Sequence, residues 1–190
     1  MASLGVRMPF LRWIGFTFLL AGCGLLGGCA MESTAPAATE VGASMQGMVH
    51  GGQQPVVGAH IYLFAAGTSG YGGASTSLLS ANTVGSDALG SYVLTDANGA
   101  FSITGDYACT AGTQVYVLAT QGNPGYGGNN PALAMMTALG QCPAAGTFVA
   151  TVPYVWVNEV TTVASVYSLA GFMTDLTHVS SSGTALAQVG

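Results

Sequence analysis

Between Met45 and Val157 the apolar residues come in short stretches, several of them alternating at period two. Turn residues break the pattern about every ten residues, the spacing of an all-β domain. A strand sends successive side chains to opposite faces, so period two marks a half-buried strand. Glycine, 29 of 190 residues, runs about twice its usual share and favours turns and short strands over long helices.

Met45 to His50 reads as the first strand, closed by Gly51-Gly52, and Pro55 to Gly58 as a turn. Ala59 to Ala65 is the second, with Ala59, Ile61, Leu63 and Ala65 assigned to the core face. Gly67 to Gly90 is too long for a structureless loop in a compact domain, and a strand is expected near Ser77 to Val84. Tyr92 to Thr95 and Ala100 to Ile103 predict a hairpin through Asp96-Ala97-Asn98-Gly99, because Asn-Gly supplies positive φ at little cost. Thr113 to Thr120 alternates, with Val115, Val117 and Ala119 on one face. Gly122 to Pro131 is a loop, Ala132 to Leu139 fits one or two helical turns, and Thr147 to Val157 is a strand. The pattern then changes to a helix from Asn158 to Leu176, with Asn158 as N-cap and Glu159 in the first turn. The expected fold is mainly β, an antiparallel β-sandwich followed by a C-terminal α-helix.

The division expected is a targeting segment over 1–28, a flexible tether over 29–44, the sandwich over 45–157, the helix over 158–177 and a flexible tail over 178–190. The first segment holds Arg7 and Arg12, then an apolar run from Trp13 to Ala21 and small residues, the plan of a secretory signal. Leu20-Ala21-Gly22-Cys23 resembles the bacterial lipobox, and Leu26-Gly27-Gly28-Cys29 is a second candidate. The resemblance implies acylation of Cys23, or alternatively Cys29, and an exported protein held by lipid in the cell envelope, at the outer membrane or in the periplasm. Glycines interrupt the run too often for a good membrane span. Gly22-Cys23-Gly24-Leu25-Leu26-Gly27 matches the dinucleotide fingerprint by chance, since it follows no strand.

The only two basic residues, Arg7 and Arg12, lie in the targeting segment, whereas the seven acids all lie beyond it. Such a chain repels phosphate backbones, which excludes nucleic acid, and it cannot be held electrostatically on anionic lipid.

Gly47-Met48-Val49-His50-Gly51 with Pro55-Val56-Val57-Gly58-Ala59-His60-Ile61-Tyr62-Leu63, and then Thr95-Asp96-Ala97-Asn98-Gly99-Ala100-Phe101-Ser102-Ile103, stand in this order. They are similar to phrases of carboxypeptidase regulatory-like domains, over roughly residues 45 to 120. Gly105-Asp106-Tyr107 is similar to the phrase that follows. The resemblance implies a transthyretin-like (prealbumin-like) sandwich serving as a non-catalytic accessory module; some related sandwiches bind glycans. The chain also resembles envelope proteins of soil bacteria of the acidobacterial type, in which a segment like Asn158 to Thr162 follows the sandwich.

Cys109 and Cys142 lie in the sandwich, and an exported compartment permits a disulfide, against the alternative of two free buried thiols. His50 and His60 could face each other across a strand pair as half a metal site, but no third ligand is evident, so no metal or other cofactor is expected. Asp96-Ala97-Asn98-Gly99 lacks the further acids of a calcium loop and reads as a turn. Hydrolase elbows, zinc-protease motifs and phosphate loops are missing, so no enzyme is expected. Gly70-Tyr71-Gly72-Gly73 recurs as Gly125-Tyr126-Gly127-Gly128. Tyr71 and Tyr126 are either loop filler or aromatic platforms for a sugar or a partner chain. The helix is apolar around most of its circumference, more than one buried stripe requires. It is expected to meet a partner, a second copy or a membrane interface, or else to lie sunk in its own domain. Two functions follow as expectations: an envelope module that docks another protein, or a glycan-binding module using the Tyr loops.

Overall fold

The computed structural model describes residues 44–79, 85–104 and 107–181. The lipobox cysteines Cys23 and Cys29, the expected tether up to residue 43, Asp106 and most of the expected tail lie outside the described residues. Two sheets face each other. In the first, β1 (Ser44–Gly51) is central. It pairs antiparallel with β7 (Ala100–Thr104) and with the short β2 (Gln54–Pro55), and parallel with β10 (Tyr154–Val157). In the second the order is β5 (Gly85–Asp87), β6 (Gly90–Leu94), β3 (His60–Ala65), β8 (Gln114–Thr120) and β9 (Ala134–Gln141), with β4 (Thr76–Ser77) on the end of β3. Among the described residues the protein is mainly β, a sandwich followed by a helix near the C-terminal end.

The first sheet is one-sided. Val49, Phe101, Ile103, Val155 and Val157 alternate inward and meet Ile61, Leu63, Val115 and Val117 of the second sheet. Gly47 is needed at the centre, because a Cβ there would overlap the Phe101 ring and the Val155 carbonyl oxygen. The second sheet is two-sided. Tyr62, Phe64, Tyr116, Leu118 and Met136 point away from the sandwich core into a second apolar layer with Leu169 and Val179, flanked by Phe172, Met173 and Leu176. The run from His60 to Ala65 is thus buried on both faces, as continuous apolar strands are; the expected core face of Ile61 and Leu63 is only half of its burial.

Several expectations are corrected. The stretches around Asp96 do not form a hairpin: β6 pairs with β3 and β5, whereas β7 pairs with β1. The turn itself is present. Asp96 Oδ1 accepts from the amides of Asn98 and Ala100, Gly99 has φ of 74°, and the turn carries the chain from one sheet to the other. Residues Ala132 to Leu139 are not helical, because β9 pairs with β8 from Thr120↔Ala134 onward and ladder bonds override a weak local preference. The strand expected from Thr147 is confined to Tyr154–Val157. Among the described strands, β1 and β10 pair in parallel, not antiparallel.

The helix is α1 (Glu159–Leu169), much shorter than expected. Its start is as read: Asn158 Oδ1 accepts from the Thr161 amide, and Thr161 Oγ1 accepts from the Asn158 amide, each at 3.0 Å. It ends where Phe172 and Met173 turn onto the outer layer of the second sheet, a place that a longer helix could not reach. The chain then forms a hairpin of β11 (Met173–Asp175) and β12 (His178–Val179). Val179 and Ser180 are fully buried, and Ser180 bridges to Gly67, so the first residues of the expected flexible tail belong to the fold.

The outer layer contains tyrosines in unusual states. The Tyr116 hydroxyl donates to the Leu176 carbonyl at 2.8 Å and lies 2.9 Å from Ser75 Oγ. Burial pushes its pKa up to about 12, against the opposing effect of Ser75. Burial also raises Tyr107 and, with the Asp87 carboxylate, Tyr62. A raised folded value means that the unfolded chain ionises first. Stability is therefore complete below about pH 10, the ordinary tyrosine value, and falls as pH rises through the folded values. Urea midpoints are expected to drop steadily above about pH 10, with a shallower drop in Tyr116→Phe; a flat alkaline profile contradicts this.

Candidate functional site

Helix α1 is amphipathic in the opposite sense to an ordinary surface helix. Its polar stripe points inward, onto the open edge of β9, which pairs only with β8 among the described strands. Thr162 Oγ1 accepts from the Met136 amide at 3.0 Å, and Ser165 Oγ accepts from the Ala138 amide at 2.8 Å. Thr161 Oγ1 donates to the Met136 carbonyl at 3.2 Å. Ser165 is only 4% exposed. An uncovered edge strand presents unpaired amides and carbonyls, a template for unwanted pairing, and here the hydroxyls of a helix satisfy them.

That use of the polar stripe forces the apolar residues outward. Val160 is 77% exposed, Val163 69% and Tyr167 86%. With Ala164 and Glu159 they line a shallow open groove. Glu159 is held at the helix start, where its Oε1 accepts from the Gly52 amide at 2.7 Å. Val160, Val163, Ala164 and Tyr167 stand at i, i+3, i+4 and i+7, one continuous face.

Cys109 and Cys142 form a disulfide, with Cα atoms 6.0 Å apart. Tyr71 and Tyr126 are both exposed, but the structure does not bring them together. The Tyr71 loop leaves the C-terminal end of β3. The Tyr126 loop follows β8, whose Thr120 pairs with His60 at the other end of β3, and Asn123 bridges to Val57. β3 has six residues, which at about 3.3 Å each separates the loops by roughly 20 Å. His50 and His60 lie in different sheets, on β1 and β3, so they do not face each other across a strand pair. His50 instead sets its ring against Trp156, with centroids 5.9 Å apart.

The acids among the described residues are each engaged. Asp96 holds its turn and Glu159 the Gly52 amide. Asp175 accepts from Thr177 and pairs with His178 at 2.9 Å; the His178 hydrogen bond above all lowers its pKa to about 2. Asp87 accepts from the Tyr62 hydroxyl at 2.6 Å and meets His60 Nδ1 at 3.3 Å, with His60 stacked on Tyr92 at 3.8 Å. Burial raises Asp87, but hydrogen bonds from Tyr62, the Leu89 amide and His60 outweigh it and hold the carboxyl below its ordinary value. Among the described residues no three His, Cys, Asp or Glu side chains gather as a metal site, and no helix is long and apolar enough to cross a membrane.

Two features escaped the sequence reading. The inward direction of the helix hydroxyls depends on which strand lies beneath, which no local pattern states. The exposed rings of Tyr154 and Trp156 were legible, since they alternate with Val155 and Val157. Compared with models of known families, with curated proteins and with solved structures, the chain matches none.

Proposed function

We propose that this protein is a non-catalytic interaction module of the bacterial cell envelope, exported and held by a lipid on Cys23 or alternatively Cys29, which docks another envelope protein through helix α1. The outward apolar face of α1 carries this reading. Side chains at i, i+3, i+4 and i+7 are the anchors by which a helix enters an apolar groove of a partner. The exposed face amounts to on the order of a few hundred Å², the size at which an apolar patch marks a contact site. Pairing two such faces buries less than the roughly 800 Å² per partner of a standard stable interface, so a groove that wraps the helix suits it better than a second copy. The covered β9 edge leaves the face rigid, which lowers the ordering cost of binding.

Photo-crosslinking in intact cells tests the reading. A crosslinker at Val163 is expected to give one discrete adduct with another protein, lost when Tyr167→Ser is added. A crosslinker at Ser102, on the opposite sheet, should not give that adduct. If Val163 yields no protein adduct, or the adduct survives Tyr167→Ser with Val160→Ser, docking through this face is wrong. Intact mass tests the anchor separately: an unacylated N-terminus on the mature chain removes the lipid from the proposal.

A further inference from the structure

The outer face of the first sheet carries a second surface, independent of the helix. Outward positions alternate with the core along β1, β7 and β10. On β10 they are Tyr154, 41% exposed, and Trp156, 50% exposed. Their ring centroids lie 5.5 Å apart with planes inclined by 57°. Across the sheet, Tyr154 is level with Gln46 and Ser102, and Trp156 with Met48 and Ala100. His50 sets its ring against the indole, inclined at 70°.

We propose that this face binds a neutral polysaccharide. Two neighbouring rings offer apolar stacking surfaces, and Ser102, exposed at the level of Tyr154 on β7, adds a neutral hydroxyl to the same face. That combination matches a sugar, whose ring has an apolar CH face and a hydroxyl rim. Among the described residues the face holds no carboxylate and no Lys or Arg, so it offers little to pair with a charged polymer. The chain as a whole carries a formal charge of −5, which repels anionic glycans and nucleic acids alike. A membrane is a poor occupant, because the Ser102 hydroxyl shares the face with the rings and would be stripped of water there. The 57° inclination selects among neutral glycans. Rings so inclined cannot lie flat on a crystalline surface, but they can follow a single chain that twists from one sugar to the next.

The test is native affinity electrophoresis of the full chain in detergent, through gels containing soluble starch, galactomannan, xyloglucan or a mixed-linkage β-glucan, with sedimentation on crystalline cellulose alongside. At least one soluble polymer is expected to retard the protein. Trp156→Ala and Tyr154→Ala should each weaken that retardation at least tenfold, Trp156→Phe less than either, and Tyr167→Ser on the helix not at all. Trp13 and Trp156 are the two tryptophans of the chain, so the fluorescence change on adding the polymer should disappear in Trp156→Phe. This readout uses the native protein and a mild variant, and it holds even if an alanine variant folds poorly. Retardation by none of the four polymers, or binding unchanged in both alanine variants, overturns the proposal. So does binding confined to crystalline cellulose. Because Tyr167→Ser is the arm that disables helix docking, failure here and failure of the docking reading are separable.

Discussion

Replacing both Cys109 and Cys142 by alanine is expected to cost about 3–4 kcal/mol of unfolding free energy, the chain-entropy value for a closed loop of this size. The bridge spans a sequence separation of 33 and closes the far end of the β8–β9 pair. Around it the Cys109 amide donates to the Gly146 carbonyl, the Gly112 amide to the Cys142 carbonyl, and the Cys142 amide to Thr113. These bonds seat the segment that carries Phe148, which is buried against the core and whose amide donates to the Tyr107 hydroxyl at 2.9 Å. Few other long-range constraints could take over. The only ion pairs among the described residues involve histidine, since Lys and Arg are missing from this part of the chain. Urea unfolding of the double variant, and of the unaltered chain with reductant, should give the same lowered midpoint. A difference under about 1 kcal/mol from the oxidised protein would mean that local hydrogen bonds, not the crosslink, hold this corner.

Sequence and structure agree where a segment's local preference and its tertiary role coincide. Val115, Val117 and Ala119 read as one buried face and are one, and the Asn158 cap is placed to the residue because capping is chemistry within four residues. The reading fails where the partner of a segment decides. Asp96 to Gly99 gives an unmistakable tight turn, but a turn does not say whether the strands it joins pair with each other or with others. Ala132 to Leu139 has no strong preference, and β8 imposed the strand. The second apolar layer had a local signal in the unbroken run from Ile61 to Ala65, which alternation alone could not explain. For the site, the pairing of Cys109 with Cys142 was legible. The separation of Tyr71 from Tyr126 was not, because it depends on which ends of β3 and β8 lie together.

The helix is the sharpest case, because composition gave its character and misplaced its faces. Ten mostly apolar positions between Val160 and Leu176 read as a helix needing cover on most sides. Thr161, Thr162 and Ser165 are instead the inner face, spent on backbone groups of β9 that have no strand partner. An amide left buried without an acceptor costs about 1–3 kcal/mol, whereas an exposed substitution away from such features changes stability by only about 0.5 kcal/mol. Thr162→Val with Ser165→Ala strips the acceptors from the Met136 and Ala138 amides at almost constant volume. It is expected to cost about 2–4 kcal/mol, although both replacements make the helix more hydrophobic. Thr162 should account for at least as much as Ser165, because its partner Met136 is fully buried whereas Ala138, the partner of Ser165, is exposed. Val163→Ser with Tyr167→Ser, which makes the helix more polar, should shift stability by no more than about 0.5–1 kcal/mol, from helix propensity alone. Urea midpoints for the two double variants decide the matter. If the apolar-to-polar pair is the more damaging, α1 is packed by its valines and the outward face is not free for a partner.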